Sequence, residues 1–294
     1  MKRLDIDFMS RGERLAAWLY LPDGIARPPV VVMAHGLGAE RSFRLPAYAE
    51  RFAAKGLAAF VFDYRSFGDS DGSPRNLISP RRHLQDWRSA ITQVRTRPEI
   101  DSRRMALWGT SFSGGHVLVA AASEPGIAAV VAQVPFVDGV STTLLFDLGY
   151  QITGTLHGLS DLFSMLVLRR RHTVPIIGKP GGFALMNTPD AEGGMRALIP
   201  PESAWRNEAP ALITLCIPFY RPIASARRIT AATMIVAAEK DALIAHAAVK
   251  KTASRIANAT FISLPVGHFD VYVGELFEKV VELEGNFLHA NLNR

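Results

Sequence analysis

The sequence predicts an α/β fold: a mostly parallel central sheet flanked by helices, interrupted by a largely helical insertion. Three observations carry this. Short runs such as Val30–Ala34 and Leu57–Phe62 are continuously apolar, as in strands buried on both faces. Stretches of helical period separate them, and strand–helix alternation implies parallel strands joined by crossovers. The apolar run Met105–Trp108 leads directly into Gly109-Thr-Ser-Phe-Ser-Gly-Gly115 and then into a helix-like run from His116. A strand that turns at once into a helix through Gly-x-Ser presents its serine at the rim of a sheet.

The elements follow in order. Residues 2–8 and 13–21 alternate in polarity on either side of Ser10, Arg11 and Gly12, which predicts an antiparallel pair. Val30–Ala34 is the next strand, broken by His35-Gly-Leu-Gly38. A helical pattern then runs to Lys55 and is closed by Gly56. Leu57–Phe62 is a strand. The following stretch, Asp63-Tyr-Arg-Ser-Phe-Gly-Asp-Ser-Asp-Gly72, is dense in turn formers. Arg81–Arg97 has helical period. Met105–Trp108 is the strand before the serine, Ser113–Ser123 the helix after it, and Ile127–Gln133 another strand. Thr233–Ala238, a helix over Ala245–Arg255, a strand over Ala259–Leu264 and a last helix from Asp270 complete the alternation.

Residues from about 136 to 227 break the pattern. They contain helical stretches at 142–152 and 159–171 and a Gly/Pro-rich part from Pro175 to Pro201. Lying between two core strands, they are expected to cap the rim. The predicted organisation is a core of residues 1–135 and 228–294 with a cap or lid over 136–227.

Composition narrows the function classes. The 294 residues are 48% hydrophobic and 20% charged, with a net charge of +6, which is a globular balance. Arginine pairs and the run Arg169–Arg171 are not interleaved with aromatics, so no nucleic-acid binding is expected. The single cysteine, Cys216, cannot form an intrachain disulfide and reads as an apolar filler. No signal peptide or membrane span is evident, and a cytoplasmic location is expected. No His/Cys/Asp/Glu cluster has metal-ligand spacing, so neither metal nor cofactor is expected. The alternating acids of the 63–72 loop lack calcium-loop spacing and read as a structural rim loop.

Ser111 is the candidate nucleophile. The turn requires small residues two positions either side, and Gly109 and Ser113 supply them. Ser113 is the rival, with Gly115 two residues beyond it. A serine needs a base, an orienting acid and oxyanion donors. His268, in the loop Pro265-Val-Gly-His-Phe-Asp270 after the final strand, is the candidate base. Asp241, three residues beyond strand Thr233–Ala238, is the candidate acid. Asp138, also at the rim, is its rival. The amides of Phe112 and Leu37 are the expected oxyanion donors, with His35 and Gly36 shaping the second loop. In the cap, Phe146, Phe163 and Met165 are candidates to line an apolar acyl pocket.

With these residues in hand, the chain resembles the α/β-hydrolase superfamily over most of its length. The motifs that carry this are His35-Gly-Leu-Gly38, Asp63-Tyr-Arg-Ser-Phe-Gly-Asp-Ser70, Gly109-Thr-Ser-Phe-Ser113, Glu239-Lys-Asp241 and Gly267-His268. Within it, the chain looks like bacterial serine esterases near the X-Pro dipeptidyl-peptidase and acetylxylan-esterase-like hydrolases. The resemblance implies Ser111, Asp241 and His268 as the triad, and ester hydrolysis through an acyl-serine. Dehalogenases and epoxide hydrolases of this fold place an aspartate where Ser111 stands, so both are disfavoured. The expected partner is a small, mainly apolar ester, and a homodimer is compatible with the sequence. A thioesterase, peptidase or acyl transferase would use the same machinery, and a non-catalytic binder would share the fold.

Overall fold

The computed structural model describes residues 1–293. The chain opens with a hairpin of β1 (Lys2–Ser10) and β2 (Glu13–Leu21). Its two-residue loop places Arg11 at φ 51° and Gly12 at φ 86°. Two successive positive φ values match the right-handed twist of the flanking strands. β3 (Pro29–Ala34) follows and is buried along its whole length. Helix α1 (Leu45–Ala54) begins later than the apolar pattern suggests. Arg44 sits in the left-handed region at φ 62°, and a proline occupies the first helical turn, so residues 39–44 form a loop.

β4 (Ala58–Phe62), α2 (Pro80–Arg95), β5 (Asp101–Thr110), α3 (Phe112–Ala121) and β6 (Ile127–Gln133) continue the alternation. Beyond the insertion come β9 (Ala232–Ala238), α8 (His246–Ala253), β10 (Ala259–Leu264) and α9 (Gly274–Leu292). The main sheet has eight strands in the order β1-β2-β4-β3-β5-β6-β9-β10. β2 pairs antiparallel with β1 and β4, and every pairing from β4 to β10 is parallel. The C-terminal ends of β3, β5, β6, β9 and β10 therefore share one rim, where the loops carrying the candidate residues emerge.

Between β6 and β9 the insertion folds into α4 (Gly139–Thr143), α5 (Leu148–Val167), β7 (Thr173–Val174), α6 (Ala191–Arg196), β8 (Ala209–Pro210) and α7 (Ile213–Cys216). β7 and β8 make a separate two-stranded antiparallel sheet. The two helical stretches expected at 142–152 and 159–171 are divided differently. The break falls at residues 144–147, and one 20-residue helix, α5, runs straight through the interval expected to separate them. Asp147 caps α5 by accepting from the Tyr150 amide at 2.9 Å. Gly154 and Gly158 lower helix propensity but lie under Phe183 and against α7, so packing overrides propensity. The irregular stretch 175–201 also contains a short helix, α6. Among the described residues, no helix is long and apolar enough to cross a membrane.

Candidate active site

Ser111 joins β5 to α3 with φ 54° and ψ −121°. This is an uncommon backbone conformation for a side-chain-bearing residue, held here by its surroundings. The Ser111 amide donates to the Gln133 carbonyl, and its carbonyl accepts from Phe136. A Cβ on Gly109 would lie 2.4 Å from the Ser113 carbonyl oxygen, and one on Gly115 would lie 2.1 Å from that of Phe136. Only glycine lets α3 leave the strand so sharply.

The turn separates the two serines. Ser113 is fully buried, and its Oγ lies 2.8 Å from the Tyr64 hydroxyl, which also accepts from Trp87 Nε1. Ser111 instead faces the rim, with its Oγ 3.1 Å from His268 Nε2. His268 Nδ1 lies 2.6 Å from Asp241 Oδ2. The carboxylate demands a donor at Nδ1, which leaves Nε2 as acceptor for the serine proton. Asp241 is fixed in turn, since its Oδ1 accepts from the amides of Leu243 and Ile244 at 2.8 and 2.9 Å. His268 is buried, and its loop is tied by the Gly267 amide donating to Asp270. An imidazole held between a carboxylate and a hydroxyl can take the hydroxyl proton while the carboxylate steadies the resulting cation.

Asp138 does not join this chain. It caps α4 through the Val140 amide and forms a two-pronged pair with Arg221, at 2.8 and 3.1 Å. His35 is likewise apart. Its Nδ1 donates to the Gly36 carbonyl, its Nε2 lies 3.6 Å from Asp63, and burial lowers its pKa. Its ring packs on Tyr64 and Phe67 under the loop that follows β3. The acids of the 63–72 loop are matched by arginines: Asp63 and Asp69 by Arg41, Asp71 by Arg14.

The amide of Phe112 heads α3, where the first N–H groups have no helical acceptor and the dipole is positive. Leu37 lies beside Ser111, because a Cβ on its neighbour Gly36 would be only 3.1 Å from Ser111 Cβ. Among the described residues neither amide donates to a protein acceptor.

Ser111, Leu37 and Phe112 open onto a cavity of about 380 Å³. The insertion supplies most of its wall, including Phe146, Tyr150, Phe183, Met186 and Ile217, and among the described residues no lining residue is charged. Phe146, Tyr150 and Phe183 stack in succession, with centroids 4.4 and 5.0 Å apart. A recess of about 30 Å³, on the other side, is bordered by Ser111, His268 and Tyr272. Of the three residues expected to line an acyl pocket, the structure brings only Phe146 to the cavity. Phe163 projects outward at 58% exposure, and Met165 is not part of the wall. Tyr150 and Phe183 were not among the residues expected to line the pocket; Tyr150 opens α5 just beyond Phe146, which lies in the turn before that helix.

Comparison with known proteins agrees with this architecture. The model of the X-Pro dipeptidyl-peptidase (S15 family) matches residues 11–171. The quorum-quenching protein AidA of Acinetobacter baumannii is 40% identical over 285 residues, covering 97% of this chain and 94% of AidA. The thiohydrolase aneE of Aspergillus aculeatus is 33% identical over 135 residues, 46% of this chain and 42% of its own. The crystal structure of the α/β hydrolase GrgF from Penicillium sp. superposes with a TM-score of 0.85 over the full length of both chains at 23% identity, a likeness of fold. On this footing the chain belongs to the X-Pro dipeptidyl-peptidase (S15) family of α/β hydrolases.

Proposed function

We propose that the protein is a serine hydrolase that cleaves carboxylic esters carrying uncharged, mainly apolar acyl groups. The observation that carries this is the unbroken chain Asp241–His268–Ser111 opening on a cavity without a charged lining residue. In the proposed reaction, Ser111 Oγ attacks the ester carbonyl carbon as His268 Nε2 takes its proton. The amides of Leu37 and Phe112 hold the oxyanion, a contribution typically near 3 kcal/mol per donor. Collapse expels the alkoxide, which takes the proton from His268, and leaves an acyl-serine. A water then attacks with His268 as base, releasing the acid and restoring Ser111. The recess beside Ser111 and His268 has room for a water molecule.

The uncharged cavity weighs against peptide cleavage, despite the family's name. A dipeptidyl-peptidase must pair the substrate's ammonium group with acids, because an unpaired charge is costly to bury. Among the described residues no carboxylate lines the cavity. The insertion over 136–227 acts as the cap that shapes the acyl site, and the quorum-quenching role named for AidA belongs to the same proposal. A thioester reading is favoured by the aneE match and uses the same steps with a thiolate leaving group.

The test is turnover of p-nitrophenyl acetate, butyrate and octanoate, and of a butyryl thioester, by wild type and Ser111→Ala. Wild type should hydrolyse the esters, and Ser111→Ala should lose about a million-fold in turnover, as in other serine triads. Equal rates in both proteins would overturn the assignment of Ser111. A strong preference for the thioester would replace the ester reading.

A further inference from the structure

Helix α5 is turned inside out. The residues it buries are Gly154, Gly158, Asp161 and Ser164. Leu148, Ile152, Leu156, Leu159, Phe163 and Leu166 are instead between 49% and 70% exposed. With 3.6 residues per turn they form one outward stripe about 100° wide and about 27 Å long. A surface helix of a protein that works alone carries this pattern reversed, and contiguous exposed apolar patches mark contact surfaces.

We infer that this stripe is the interface of a homodimer, in which α5 packs antiparallel against α5 of a second copy. A two-fold interface must be self-complementary, and the stripe is. Reversing the helix sets Leu148 opposite Val167, Ile152 opposite Phe163, and Leu156 opposite Leu159. The charges agree with the same register. Asp147 is exposed at the N-terminal end, and Arg169 and Arg170 are exposed just past the C-terminal end. None of the three has an ion-pair partner among the described residues. Antiparallel pairing brings each acid to the two arginines of the other copy. A lipid surface is the poorer occupant. Two unpaired arginines fall short of the four to eight basic residues that mark binding to anionic lipid, and Asp147 would oppose it.

The dimer also bears on the site, whichever bond Ser111 breaks. The other side of α5 contributes Tyr150, Gln151, Gly154 and Thr155 to the cavity wall. Pairing through the outer stripe clamps that wall from behind.

Size-exclusion chromatography with light scattering on the full chain should give twice the 32.1 kDa of one copy. Leu156→Glu combined with Leu159→Glu should halve the mass while leaving circular dichroism unchanged, since both positions are solvent-facing in the single copy. The register is tested by charge. Asp147→Arg alone, and Arg169→Asp with Arg170→Asp, should each weaken association about tenfold or more. Mixed in equal amounts, the two variants should recover the dimer, because each end then joins opposite charges. A wild-type monomer at every concentration would overturn the inference. So would a dimer that survives the double glutamate variant, or a mixture that stays monomeric. Binding of monomeric wild type to phosphatidylserine vesicles, lost in the double glutamate variant, would reassign the stripe to a membrane.

Discussion

Asp241 and Asp138 both stand at the C-terminal rim of the sheet, and only their hydrogen bonds tell them apart. Asp241 spends one oxygen on two backbone amides and the other on His268, whereas Asp138 spends both on Arg221 and a helix cap. Asp241→Asn should therefore lower turnover about ten-thousand-fold with the fold intact, because the amide group favours the wrong imidazole tautomer. Asp138→Asn should leave turnover within a few-fold. Asparagine still caps α4, and an ion pair with the half-exposed Arg221 is worth at most about 1 kcal/mol. Steady-state kinetics on the same ester check both, and a reversal of the two effects would exchange the acids. The residues that the structure joins into the Asp241–His268–Ser111 chain were legible because each lies in a short motif at a strand end, where local spacing alone fixes exposure. The choice between Ser111 and Ser113 was legible only in part, since it turns on Tyr64, which lies far off in sequence. Phe163 and Phe146 look alike in sequence. Only the tertiary fold sends Phe163, on α5, outward and Phe146, in the turn before α5, to the cavity.

At the scale of the element, α5 shows packing outvoting propensity. The sequence reading places two helical stretches at 142–152 and 159–171, yet one helix runs through the interval between them, and Gly154 and Gly158 fill places where a side chain would collide. A Cβ on Gly158 would meet Thr214 Oγ1 at 2.4 Å and Leu215 Cγ at 2.6 Å, both on α7. Gly158→Ala gains up to about 1 kcal/mol of helix propensity, while overpacking of this kind costs about 1–3 kcal/mol. The variant should be net destabilised, with a lower urea midpoint and an unchanged slope. Thr214 also lines the cavity and donates to the Gly154 carbonyl, so KM for octanoate should rise more than KM for acetate. A variant more stable than wild type would show that α5 does not press on α7 as the structure places it. The sheet itself was legible almost strand by strand, because each run is buried on both faces and bounded by turn formers. The insertion was not, because its helices take their register from one another and from the rim beneath them.

Across the whole molecule, the core buries several ionisable groups in their neutral forms, and their opposing titrations shape where the fold is most stable. His35, His83 and His116 are fully buried, and desolvation holds each below the usual histidine value, His116 at about 3. They interlock with the core: His83 Nδ1 lies 3.2 Å from His116 Nε2, and His116 Nδ1 lies 2.6 Å from the hydroxyl of Tyr220 in the insertion. Below about pH 6.5 the unfolded chain binds protons that these rings refuse, so stability falls with acidification. Glu284 acts in the opposite sense. Burial raises its pKa to about 8, partly offset by the hydrogen bond from Trp108 Nε1, and its other oxygen has no partner. Between about 4.5 and 8 the folded chain keeps a proton that the unfolded chain releases, so this term falls as pH rises and is lost above 8. Half-buried Glu40, raised to about 7 by burial and by Asp63 and Asp69, adds to the same slope. Stability should therefore peak near pH 6.5. Glu284→Gln keeps an acceptor for Trp108 and cannot ionise, so it should flatten the alkaline limb and leave the acid limb in place. Its advantage over wild type should grow from almost nothing at pH 4.5 to a few kcal/mol at pH 8.5. Urea midpoints of the two proteins across that range measure the difference directly, and parallel curves would mean that Glu284 ionises in the fold without penalty.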